Sequence, residues 1–63
     1  MTEKEIEKEQ YINMMRIRSI EAALERVNPF SDEFENLINE SLRLRDRQKE
    51  LGQQLINVRT AAG

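Results

Sequence analysis

The sequence predicts an all-α protein: an antiparallel two-helix hairpin, with helix 1 over about residues 2–27 and helix 2 over about 32–59, dimerising into a four-helix bundle. Three observations predict it. Two glycines and one proline in 63 residues, among abundant Glu, Lys, Arg, Gln, Leu and Met, make the composition of long helices. The lone proline, Pro29, falls near the middle, where a reversal leaves two segments of similar length. On both sides of it, seam positions follow the alternating steps of three and four that mark a coiled coil.

Helix 1 starts near Thr2. Thr2 and Glu5 have the spacing of a capping box, in which each side chain satisfies a backbone donor that the first turn leaves unpaired. The helix is expected to reach about Val27, because Asn28 precedes Pro29 and the proline ring disfavours helical backbone in the residue before it. Ser31 is the natural N-cap of helix 2, with Asp32 and Glu33 at the positive end of its dipole. Asn28 as cap, with Pro29 at the first helical position, competes with it. A break this short makes the two helices antiparallel neighbours in a single domain spanning residues 1–63. Residues 60–63 are expected to fray. Gly52 sits inside helix 2, either as a tolerated irregularity or as the mark of a close approach by a neighbouring helix or a bulky side chain.

In helix 1 the seam positions are Glu3, Ile6, Gln10, Asn13, Ile17, Ile20, Leu24 and Val27; in helix 2 they are Phe34, Leu37, Ser41, Leu44, Gln48, Leu51, Leu55 and Val58. A turn centred between residues 30 and 31 pairs residues whose numbers add to about 61, and every member of one set finds its partner in the other. The rule sets Val27 against Phe34, Leu24 against Leu37 and Ile17 against Leu44. It also sets Asn13 against Gln48, either as a buried amide layer that fixes register or as two side chains that reach water at the seam edge.

The seam leaves apolar residues over. Tyr11, Ile12, Met15 and Ala22 lie on the outer side of helix 1, and Ile38, Leu42 and Ile56 flank the seam of helix 2. Contiguous exposed apolar groups mark an interface, whereas scattered ones are ordinary. A core of this size supplies only about 3–5 kcal/mol without a staple. These seven residues are therefore the candidate dimer or partner interface, a twofold axis being the simplest way for one patch to cover its own copy.

A net charge of −2 conceals segregation. Residues 32–40 hold four acids and no base, while residues 43–49 hold four bases and one acid. Arg16 and Arg18 fall at the height of Arg45 and Arg43, so that with Arg47 they form a belt at mid-height. Arginine suits phosphate, which makes nucleic acid a possible but not favoured partner, since the chain as a whole is not basic. The ordinary alternative is a solvated face in which Glu21, Glu25, Glu40, Asp46 and Glu50 neutralise these arginines.

Chemistry finds little purchase. The sequence has no cysteine and no histidine, which removes disulfides, thiolate metal sites and the usual general base together. No glycine-rich phosphate loop, zinc spacing or nucleophile elbow is present. No cofactor or metal site is expected, and neither is an enzyme. The opening Thr2-Glu3-Lys4-Glu5 and the very short apolar runs predict neither a secretory signal nor a membrane span, so a cytoplasmic protein is expected.

Two resemblances accompany these readings. Leu24-Glu25-Arg26-Val27-Asn28 before the turn and Ile38-Asn39-Glu40-Ser41-Leu42 after it resemble the Rop-like plasmid regulators. That likeness implies a four-helix bundle that binds RNA, here through Arg16, Arg18, Arg43, Arg45 and Arg47. Ser41-x-x-Leu44 is similar to part of the signature of sporulation-type aspartyl-phosphate phosphatases, but the acid that should follow is Arg45. The leading expectation is a homodimeric protein–protein interaction module serving as a regulator, inhibitor or small subunit.

Overall fold

A computed structural model describes residues 2–62. It contains two helices, α1 (Glu3–Leu24) and α2 (Asp32–Ala62), folded back on each other as a hairpin about 49 Å long. No strand occurs among the described residues.

The start of α1 follows from two side chains. The Glu5 N–H donates to Thr2 Oγ1 at 3.2 Å, and the Thr2 N–H donates back to Glu5 Oε1 at 3.2 Å. The Thr2 hydroxyl donates to the same carboxylate at 2.9 Å. The capping box is complete, with Thr2 in extended conformation as the N-cap.

The end of α1 comes earlier than the sequence suggests, at Leu24 and not Val27. The Arg26 and Val27 N–H groups both donate to the Ala23 carbonyl, at 3.0 and 3.1 Å, so the helix tightens into a turn before the proline. Asn28 then organises the reversal. Its Oδ1 accepts from the Phe30 N–H at 2.9 Å, and its carbonyl accepts from the Ser31 N–H at 3.0 Å and the Ser31 hydroxyl at 2.7 Å. Asparagine at the first turn position followed by proline is the pattern such a four-residue turn favours. Ser31 is the cap of α2, its Oγ accepting from the Phe34 N–H at 3.2 Å. α2 continues through Thr60 and Ala61 to Ala62, beyond the expected end near Arg59 and through most of the stretch expected to fray; Gly63 lies outside the described residues.

The seam lies where the number rule places it. Ile6, Asn13, Ile20, Ser41 and Leu51 are buried, and ten of the remaining eleven seam positions are half-buried. The exception is Glu3, which is exposed and turns to Arg59 (2.8 Å), so the apolar zip begins one layer further in. Ile6 and Leu51 have essentially no exposure. Each contributes about 1.5–3 kcal/mol through burial alone. Ser41, opposite Ile20, satisfies its buried hydroxyl by donating to the Ile38 carbonyl of its own helix at 2.9 Å.

The amide layer forms. Asn13, 6% exposed, donates through Nδ2 to Gln48 Oε1 at 3.2 Å and to the Leu44 carbonyl at 2.8 Å. Gln48 Nε2 donates back to the Gln10 carbonyl at 3.2 Å. The two side chains thus tie each helix to the backbone of the other, and no buried side-chain nitrogen or oxygen among the described residues lacks a partner.

Two outcomes test this packing. Asn13→Ala leaves Gln48 Oε1 without its partner and is expected to cost about 1–3 kcal/mol in urea unfolding at fixed protein concentration, against about 2–5 kcal/mol for Leu51→Ala. The Thr2 hydroxyl, then the Thr2 N–H, hold the Glu5 carboxyl below the ordinary glutamate value. A carboxyl with its pKa depressed on folding stabilises the fold above its unfolded value and loses that contribution as pH falls through the folded one. Glu5→Gln is therefore expected to flatten the acid side of the thermal-midpoint profile below about pH 4.3 and leave its shape near neutrality unchanged.

Candidate functional site

With the seam closed, the remaining apolar and charged side chains stand on the surface. Among the described residues seven large apolar side chains are exposed: Tyr11, Ile12, Met14, Met15, Phe30, Leu42 and Ile56. Five of them belong to the expected interface set, with Tyr11 the most open at 61%. Of the other two members, Ala22 is exposed and Ile38 is half-buried beside the seam. Met14 and Phe30 are additions. Phe30 is 96% exposed at the tip of the hydrogen-bonded turn, and no heptad position announces it, because it falls between the helices.

The hairpin has two flanks, one on either side of the seam, and its ion pairs identify them. On one flank Glu21 meets Arg45 at 2.8 Å and Glu7 meets Arg59 at 3.4 Å, pairs whose numbers add to 66. On the other, Glu9 meets Arg47 at 2.9 Å, and the numbers add to 56. This division splits the expected interface. Leu42 lies three residues from Arg45, Ile56 three from Arg59 and Ile38 four from Leu42, so all three share one side of α2. Ile12 and Met15, with Tyr11, line a shallow open groove of about 490 Å³ bordered by Arg16 and Glu40, whose numbers add to 56. A second hollow of about 400 Å³ continues from Ser19 past Ala22 and Ala23 towards the turn. The seven residues thus form two patches.

The arginine belt divides in the same way. Arg45 belongs to the first flank; Arg16 and Arg47 belong to the second. Arg45 is held by Glu21, and Arg47 by Glu9 and by Glu50 at 3.1 Å, so two of the five arginines are already neutralised. Glu9 and Glu50, in that order, raise the Arg47 pKa, and Glu3 then Glu7 do the same for Arg59. All these groups are substantially exposed, so the pairs orient more than they stabilise. Glu21 and Glu50 act as the sequence suggests, whereas Glu25, Glu40 and Asp46 join no ion pair among the described residues. Arg16, Arg18 and Arg43 are exposed and likewise unpaired there.

Among the described residues no cluster of three or more histidine, cysteine, aspartate or glutamate side chains could hold a metal ion, and no helix is long and apolar enough to cross a membrane. No family model matches the chain, nor does any curated protein or solved structure.

Proposed function

We propose that this chain is a small non-enzymatic protein–protein interaction module that works as a homodimeric helical bundle, in the role of a regulator, inhibitor or small subunit. One observation carries the reading: among the described residues the hairpin buries three apolar side chains, Ile6, Ile20 and Leu51, and leaves seven large ones exposed. A core that small is marginal, and contiguous exposed apolar surface acquires a cover when a second molecule binds. The absence of histidine and cysteine, together with grooves too open to shield a reaction from water, supports binding in place of catalysis. A cytoplasmic setting fits a chain without cysteine.

Sedimentation equilibrium across a micromolar dilution series tests the dimer. The expected mass is twice the 7.5 kDa of the chain, falling towards the single value only on dilution. A stably folded species of 7.5 kDa throughout would refute self-association.

A second reading is the Rop-like one, an RNA-binding bundle using Arg16, Arg18, Arg43, Arg45 and Arg47. The observation in its favour is that Arg16, Arg18 and Arg43 are exposed with no ion-pair partner among the described residues. Affinity for a structured RNA that falls steeply with salt, and a shallower slope for a variant with these three arginines changed to glutamine, is the expected signature. Salt-independent or undetectable binding would remove it.

A further inference from the structure

Gly52 has no explanation within the hairpin. It lies in the interior of α2, where glycine is a poor helix former, yet a Cβ built there would meet nothing within 4 Å. What stands across from it gives the space a use. On this flank acids of α1 pair with bases of α2 at numbers adding to 66, and Met14 and Gly52 add to the same number. α1 therefore presents the row Glu7, Met14, Glu21, and α2 the row Arg59, Gly52, Arg45. An acid–methionine–acid edge runs beside a base–glycine–base edge. Met14 is 37% exposed, and Leu42 and Ile56, both more than half exposed, border the α2 row.

We propose that two copies of the chain meet through this flank, with Met14 of each seated in the open space over Gly52 of the other and both turns at the same end of the bundle. The proposal rests on the reading of the chain as a self-associating module, and it names the face and the orientation.

Charge selects the second copy as occupant. A twofold axis parallel to the helices lays α1 of one copy over α2 of the other without changing height. Glu7 and Glu21 then face Arg59 and Arg45 of the second copy, and each existing ion pair becomes a quartet of two acids and two bases. Met14 faces Gly52, and its flexible thioether side chain suits an irregular gap. With the turns at opposite ends, α1 would lie on α1 and α2 on α2. An axis through Met14 and Gly52 would then bring Glu7 onto Glu21 and Arg45 onto Arg59, like charge on like charge. Electrostatics of this kind set orientation and register, while the apolar contacts supply affinity. Arg18 and Lys49, on the outer edge of the flank, keep their charges in water over apolar stems.

The experiment combines mass and distance. Sedimentation equilibrium is run on the unmodified chain and on Gly52→Leu, with helical content followed by circular dichroism. Double electron–electron resonance is run on Phe30→Cys carrying a spin label, a site 96% exposed in a chain with no other cysteine. The unmodified chain is expected to dimerise, and Gly52→Leu to remain helical but associate about tenfold more weakly or worse, because the leucine occupies the notch. The two labels are expected well within half the 49 Å length of the hairpin. A Gly52→Leu dimer as tight as the unmodified one, or labels separated by nearly the full length, overturns this arrangement and leaves self-association standing. An unmodified chain that stays monomeric overturns both. If Gly52→Leu loses its helical content, the label distance alone decides.

Discussion

The amide layer of Asn13 and Gln48 is the constraint on which the rest of the hairpin depends. Leucine and isoleucine layers tolerate a slide of one helix past the other, since one aliphatic contact resembles the next. The Asn13 amide does not. It donates to both the Gln48 side chain and the Leu44 backbone, while Gln48 reaches the Gln10 backbone. A slip by one turn would leave these groups buried without partners, at a cost comparable to a sizeable part of a small domain's stability. The position of every other pair, including those that form the outer flanks, follows from this anchor.

Fixed register is what gives the surface meaning. Because Glu21 lies beside Arg45 and Glu9 beside Arg47, the charges sort into rows on opposite sides of the seam. Exposed ion pairs contribute little to stability. In the proposed dimer their arrangement sets which approaches of the second copy are favourable, and exposed apolar side chains supply the surface to be buried. In that proposed assembly the two kinds of surface residue divide the work between discrimination and adhesion.

The hairpin was legible in the sequence because its determinants are local or periodic. Thr2 with Glu5, Ser31 after Pro29, and two seam patterns that mirror each other each carry their own signal. The end of α1 was misjudged by three residues because proline announces that a helix must stop before it, without showing how the backbone unwinds on approach. Thr60 to Ala62 remain helical where position near the end suggested fraying. The surface was less legible. A rule that pairs residue numbers gives height along the hairpin and not side, so Arg16 and Arg45 looked like neighbours although they belong to opposite flanks. For the same reason Tyr11, Ile12, Met15, Ala22, Ile38, Leu42 and Ile56 read as one patch when they form two. Gly52 stood out as a tolerated irregularity or a close approach, but Met14 escaped notice, because the relation between the two is a juxtaposition across helices.

The two most deeply enclosed side chains, Ile6 and Leu51, sit in the half of the hairpin remote from the turn. The reversal at Asn28 to Ser31, held by its own short hydrogen bonds, can form early because it closes over few residues. Ile6 and Leu51 are enclosed only after most of the chain has been brought together. The hairpin thus begins at a hinge and closes at a clasp, and its arms are fastened at Ile6 and Leu51, where a hairpin tied mainly at its bend would splay.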